Sequence, residues 1–97
     1  MTEAQIEPGV QRAVQALAPD VVRIRFSLDD DWTGDPSVFF RIVLSDDAPR
    51  KARLGDIAMR VKSTIRHEVM PDDLGLHAYF NFRILSELSD LKEAAWA

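Results

Sequence analysis

An acidic eight-residue segment, Asp29 to Pro36, separates two stretches of alternating apolar residues and constrains the fold more than any other part of the sequence. Every second position is apolar on both sides of it, namely Val22, Ile24, Phe26 and Leu28 before it and Val38, Phe40, Ile42 and Leu44 after it. A period of two is typical of a β-strand with one buried face. Because Gly34 and Pro36 favour turns, the two stretches are predicted to form a β-hairpin.

Two amphipathic helices and a third strand complete the prediction. Apolar residues recur at helical spacing in two segments, namely Ile6, Val10, Ala13, Val14 and Leu17, and later Leu54, Ile57, Ala58, Val61, Ile65 and Val69. The first helix is expected to start near Pro8, because proline suits a first turn better than a helix interior. The third strand alternates from Leu76 to Ile84, and residues 86–97 are predicted to form a short helical tail.

The order of these elements indicates an α+β fold in a single domain over residues 1–97. Each long helix has one apolar stripe and each strand has one apolar face, which favours a two-layer αββαβ(α) sandwich. We therefore expect a three-stranded sheet with two helices on one face. The hairpin makes the first two strands antiparallel, and the sequence leaves open which of them pairs with the third.

Composition narrows the class of protein. The chain has 97 residues, 46% hydrophobic and 29% charged, as in ordinary globular domains. It has no cysteine, no apolar N-terminal run and no stretch of about 20 apolar residues, so a cytoplasmic protein is expected. No nucleophile, phosphate-loop or dinucleotide motif occurs, and His67 and His77 lie on different elements. Neither an enzyme activity nor a cofactor is predicted.

The sheet face turned away from the helices, called the outer face below, has an unusual composition. The predicted alternation places ten residues on it, namely Arg23, Arg25, Ser27, Phe39, Arg41, Val43, His77, Tyr79, Asn81 and Arg83. Apolar residues rimmed by arginine resemble a protein interface, and they suggest cover by a second copy or a partner chain. Arginine stems lying over apolar neighbours in water explain the same pattern. Aromatic rings and guanidinium groups also hold single-stranded nucleic acid.

Charge decides the order of these interpretations. The net charge is −4, although residues 50–67 hold six basic residues and one acidic residue. The excess of acidic residues elsewhere in the chain repels the phosphate groups of nucleic acid. We therefore rank a protein interface first, a solvated face second and a nucleic-acid interface third. A basic stripe on the second long helix, formed by Arg53, Arg60 and His67, is more typical of a solvated helix face than of a phosphate track.

The acidic loop offers a weak metal hypothesis. Asp29, Asp31, Thr33 and Gly34 match the first half of a calcium loop, and Asp35 adds a carboxylate. The match fails at position twelve, where a glutamate is required and Phe40 stands. The alternative is that the aspartates make turn hydrogen bonds. A tryptophan at such a tip, Trp32, either folds back or anchors a partner.

Two segments resemble a family of small bacterial proteins of unknown function. They are Asp31 to Asp46, which begins with Asp-Trp-Thr-Gly-Asp-Pro, and Tyr79 to Arg83, with the Ser86-Glu87 tail that ends in Trp96-Ala97. The resemblance covers most of residues 20–97. It implies a partner protein, because members of such a family are expected to be encoded beside other small genes in operons of the toxin–antitoxin type. The order of elements is also similar to KH-like and BolA-like domains. The chain lacks the G-x-x-G loop of the first and, unless His77 substitutes, the histidine motif of the second.

These observations favour a small binding module that acts through a protein partner or as a homodimer. Its expected contact residues are Arg25, Trp32, Phe39, Arg41, Tyr79 and Arg83. The alternatives are a single-stranded nucleic-acid-binding domain on the same face, and a metal-dependent enzyme at Asp29, Asp31 and Asp35.

Overall fold

The computed structural model describes residues 3–89 and residue 96. Its helices are α1 (Glu3–Leu17), α2 (Ala48–Lys51) and α3 (Leu54–Val69), and its strands are β1 (Val21–Asp30), β2 (Pro36–Leu44) and β3 (His77–Ile84). Short 3₁₀ helices span Pro71–Leu74 and Leu85–Ser89. The predicted α+β class is confirmed, with α1 and α3 packed on the same core beside a three-stranded sheet. No described helix is long and apolar enough to cross a membrane.

β2 is the central strand, which settles the pairing that the sequence left open. β1 pairs with it antiparallel through the hairpin, and β3 pairs with it parallel on the other side. A parallel neighbour requires a crossover connection, and α2 and α3 supply it. The side chains of Val38, Phe40 and Ile42 on β2 are fully buried beneath the helices.

A bulge at the start of β1 interrupts the predicted alternation, so the prediction is wrong at Val22. Val22 was expected in the core, but it is 42% exposed, whereas Val21 is buried. The register shifts between Val21, which lies opposite Leu44, and Arg23, which lies opposite Val43. An extra residue in one strand of an antiparallel pair turns the chain to the other face. From Ile24 onward the predicted alternation holds.

The start of α1 also differs from the prediction. The helix begins at Glu3, so Pro8 lies inside it rather than in its first turn. Proline removes one helical hydrogen bond and costs about 3 kcal/mol in a helix interior. Burying a side chain such as Ile6, which is completely inaccessible, contributes about 1.5–3 kcal/mol. Packing therefore offsets the local preference.

The second predicted helix corresponds to α3, and a separate short helix, α2, precedes it. Ile57, Val61, Ile65 and Val69 form the buried stripe, but Leu54 is 52% exposed, contrary to the prediction. Leu54 is the first residue of α3, one turn before the stripe reaches the core. The predicted tail over residues 86–97 begins as the second 3₁₀ helix, and most of it falls outside the described residues.

The contact between α1 and α3 is close because Gly9 lies at the crossing. A Cβ atom at this position would lie 2.5 Å from the carbonyl oxygen of Glu68. Nearby, Arg12 donates from Nε to the Glu68 carboxylate at 2.8 Å and from Nη2 to the Glu68 carbonyl at 3.1 Å. These contacts hold the end of α3 against α1, and the two helices pack on the face of the sheet opposite the outer face.

Candidate functional site

The strand register arranges the outer face in four rows that cross the sheet. From the hairpin end, the rows are Asp29–Ser37–His77, Ser27–Phe39–Tyr79, Arg25–Arg41–Asn81 and Arg23–Val43–Arg83. All ten residues expected on this face belong to these rows. The face changes in character along the strands, from acidic at the hairpin end, through aromatic, to basic at the far end.

The second row carries an aromatic cluster, defined as Trp32, Phe39 and Tyr79. The rings of Phe39 and Tyr79 stack with their centroids 5.2 Å apart and their planes 17° apart. The ring of Trp32 lies against the same tyrosine at 5.2 Å with a tilt of 52°. Trp32 is nevertheless 80% exposed. The tryptophan therefore folds back onto one ring and presents most of its surface to solvent.

Asp31 organises the hairpin loop and joins it to the cluster. Its Oδ1 accepts hydrogen bonds from the Thr33 hydroxyl at 2.6 Å, the Thr33 amide at 2.9 Å and the Asp35 amide at 3.1 Å. Its Oδ2 accepts the Tyr79 hydroxyl at 2.8 Å. Gly34 completes the turn with a φ of 87°, a conformation that favours glycine. The hydrogen bonds to the Asp31 carboxylate therefore hold the loop between β1 and β2 in its turn.

The same bonds change two pKa values. The Thr33 hydroxyl, followed by the Tyr79 hydroxyl and two backbone amides, holds the pKa of the Asp31 carboxyl well below its ordinary value. Asp31 in turn raises the pKa of the Tyr79 hydroxyl, because ionised tyrosine would lose this bond and face a negative charge. Tyr79 therefore keeps its proton as a donor to a fixed carboxylate.

The loop geometry gives the metal hypothesis no support. Both Asp31 oxygens accept hydrogen bonds, and Asp29 Oδ1 accepts the amide of Asp30 at 2.8 Å. Asp35 lies 3.3 Å from Nε2 of His77, with both side chains more than half exposed. Among residues 3–89 and 96, no three histidine, aspartate or glutamate side chains are grouped for a metal ion. Turn hydrogen bonds account for the position of Asp31.

The third row places two arginines side by side. Arg25 and Arg41 are direct partners in the antiparallel pair, where like charges oppose pairing. Arg41 donates from Nη1 to the Ser27 hydroxyl at 3.0 Å. Arg25 is exposed, and within the described part of the chain its side chain forms no hydrogen bond or ion pair. The row is a patch of positive charge beside the aromatic cluster.

The fourth row is covered by Trp96, which the sequence did not predict. Val43 is only 1% exposed although it belongs to the outer face. Arg23 donates to the Trp96 carbonyl at 2.7 Å, and the guanidinium of Arg83 lies 5.0 Å from the centre of the Trp96 ring. Since these arginines flank Val43 in the register, Trp96 lies above this row. The cover expected from a second copy or a partner is supplied here by the same chain.

A shallow cleft of about 370 Å³ remains between Trp96 and the end of β1 at Asp29 and Asp30. It brings together three expected contact residues, Phe39, Arg41 and Arg83. Arg25 and Arg41 border a neighbouring cleft that opens toward the first turns of α1. Tyr79 and Trp32 lie on the hairpin side of the face. The six expected residues thus occupy one surface, whereas Trp96 was missed because only the tertiary structure shows where it packs.

The basic stripe on α3 lies elsewhere and is partly neutralised. Arg60 donates from Nη2 to Asp20 at 2.6 Å, and Lys51 Nζ lies 3.3 Å from the other oxygen of that carboxylate. Chiefly through the bond from Arg60, these groups lower the pKa of Asp20. Arg53 and His67 are exposed. This helix face therefore presents less free positive charge than the sequence suggests.

Comparison of the chain with protein families, curated proteins and solved structures finds no match.

Proposed function

We propose that this protein is a binding module that contacts another protein surface through its outer face. The observation that carries the proposal is the aromatic cluster, in which Trp32 is 80% exposed while resting on Tyr79. Tryptophan, tyrosine and arginine are enriched among the residues that dominate the energetics of protein interfaces. The two aromatic residues bury much surface with few rotatable bonds. An exposed tryptophan that belongs to such a set has the chemistry of an anchor residue.

The cluster is also held in place before any partner binds. Tyr79 is positioned by its hydrogen bond to Asp31 and by stacking on Phe39. Side chains that are ordered in the free protein lose little conformational entropy on binding, so more of the contact energy remains for affinity. Preorganisation of this kind supports a binding role for the cluster.

The surroundings of the cluster favour a protein over nucleic acid. The hairpin side of the face carries Asp29, Asp30 and Asp35 next to the aromatic rings, and phosphates are repelled there. The opposite side carries Arg25 and Arg41. A surface with charges of both signs around an apolar centre matches the rim of a protein interface.

The proposal is tested by direct binding with variants of the outer face. Wild type, Trp32→Ala and Phe39→Asp are immobilised at equal density, together with Met59→Ala as a control. Met59 is also an exposed apolar residue, at 69%, but it lies on α3. A cell lysate is passed over the four immobilised proteins, and the proteins that wild type and the control retain are purified. The affinity of each purified protein for the four immobilised proteins is then measured, as is the affinity of the untagged chain for them.

We expect at least one purified protein, or the chain itself, to bind wild type and the control at least tenfold more tightly than it binds either outer-face variant. Circular dichroism melts establish that the variants are folded. Equal affinity for all four proteins contradicts the proposal. Retention that nuclease treatment abolishes also contradicts it, and assigns the face to nucleic acid instead.

A further inference from the structure

The outer face carries negative charge at the hairpin end and positive charge farther along the strands. A second copy of the face, turned end over end, is therefore complementary to it in charge. On β1, Asp29 and Arg25 lie two residues to either side of Ser27, which belongs to the aromatic row. At about 3.4 Å per strand residue, the Cα atoms of Asp29 and Arg25 lie at equal distances from that row on opposite sides. Arg41 adds positive charge on the arginine side, and Asp30 adds negative charge at the hairpin end.

Within residues 3–89 and 96, the side chains at these two positions, Asp29 and Arg25, form no ion pair with a group of opposite sign. Arg25 instead faces Arg41 across the strand pair. An acidic group placed above Arg25 relieves this repulsion, because opposite charges at close range attract.

We propose that the occupant of the outer face is a second copy of this chain, related by a two-fold axis that runs along the Ser27–Phe39–Tyr79 row. This inference rests on the proposed function and names its partner. Rotation about that axis places the Asp29 row of one copy over the Arg25 row of the other, and the reverse. Phe39 meets Phe39 at the axis, and each Asp29 lies over an Arg25. Such an interface is isologous, so each charge pair occurs twice.

The competing face-to-face arrangement is less favourable. A two-fold axis parallel to the strands keeps each row over itself, so Asp29 lies over His77 and Arg25 lies over Asn81. The charge of Arg25 then stays without a carboxylate. In the proposed arrangement the aromatic cluster supplies apolar burial, and the charge pairs select the orientation.

The test exchanges charges. Arg25→Glu makes positions 25 and 29 both acidic, and Asp29→Lys makes both positions basic, so each variant alone brings like charges together twice. When the two variants are mixed, both contacts join opposite charges. Arg53→Glu and Asp72→Lys are matched controls, because both residues are exposed and lie off the outer face. Sedimentation velocity over a range of concentrations measures the dimer dissociation constants.

We expect wild type and both controls to dimerise, each charge variant alone to dimerise at least tenfold more weakly, and an equimolar mixture to regain dimer. Phe39→Asp provides a second test, because it places two carboxylates at the axis and is expected to give monomer. Thermal melts establish that every variant is folded. A monomeric wild type, unaffected charge variants, or a mixture that stays monomeric overturns the second-copy proposal.

These results are distinguishable from failure of the proposed function. If wild type is monomeric but another purified protein binds it and discriminates against Trp32→Ala and Phe39→Asp, the outer face remains a protein-binding surface and only the second copy is excluded. If wild type forms a dimer that no outer-face variant weakens and no other protein discriminates among the variants, both proposals are wrong.

Discussion

The hydroxyl of Tyr79 donates a 2.8 Å hydrogen bond to Asp31 and thereby ties β3 to the loop that joins β1 and β2. The bond crosses the outer face from one edge strand to the hairpin loop. It also fixes the ring on which both Phe39 and Trp32 rest. The acidic loop is therefore part of the aromatic cluster rather than a separate feature of the chain.

This bond predicts an unusual titration of the only tyrosine in the chain. Because Asp31 raises the pKa of Tyr79 above its ordinary value of 10.0, Asp31→Ala is expected to return it toward 10.0. Tyrosinate absorbance followed against pH measures the change, and Asp30→Ala is the control. The raised pKa stabilises the folded state below pH 10.0, and this contribution is lost as pH rises through the folded-state value. An equal pKa in wild type and Asp31→Ala contradicts the prediction.

Asp20 is expected to contribute to the loss of stability in acid. Hydrogen bonds from Arg60 and Lys51 lower its pKa in the folded state below the ordinary 3.8. Its stabilising contribution is therefore complete above pH 3.8 and is lost as pH falls through the folded-state value. Asp20→Asn is expected to lower the free energy of unfolding at neutral pH and to weaken its dependence on pH in acid.

Urea unfolding at a series of pH values measures this effect. Asp47→Asn is the matched control, since Asp47 forms an exposed ion pair with Arg50 at 3.5 Å that contributes little. Equal pH dependence in wild type and Asp20→Asn argues against the assigned role of Asp20.

Gly9→Ala is expected to destabilise the protein although alanine favours helices. The added Cβ would lie 2.5 Å from the Glu68 carbonyl oxygen, so α1 and α3 have to separate. Overpacking of this kind costs about 1–3 kcal/mol. Gly55→Ala is the control, because nothing lies within 4 Å of its Cβ position and helix propensity favours alanine by up to about 1 kcal/mol. Chemical denaturation of both variants decides whether the crossing is as close as described.

Trp96→Ala is expected to lower the free energy of unfolding by about 3 kcal/mol. This loss is at the lower end of the range for buried tryptophans, because solvent can fill the space that the side chain leaves on the outer face. The substitution removes a side chain that is 6% exposed and uncovers Val43. Met59→Ala, at an exposed site on α3, is expected to change stability by less than about 0.5 kcal/mol. Similar losses in the two variants contradict the position of Trp96 over the fourth row.

Local periodicity determined most of the secondary structure and the composition of the outer face. Alternation with a period of two depends only on neighbouring residues, so it shows which side chains share a face before any contact is known. The same alternation places Phe39, Tyr79 and Arg41 on one face. The prediction from alternation was wrong at Val22, because the bulge arises from the register with β2. The prediction from proline preference was wrong at Pro8, because burial of residues such as Ile6 offsets that preference.

The tertiary structure alone decided how distant segments meet. The parallel pairing of β3 with β2, the bond between residues 31 and 79, and the cover of Val43 by Trp96 all join segments far apart in the chain. No local pattern encodes such pairs, because they depend on how the helices and strands pack together around one core. The sequence by itself therefore determined which side chains the outer face carries. Packing decided which strands form the edges of that face, how Tyr79 is fixed, and that Trp96 covers the fourth row.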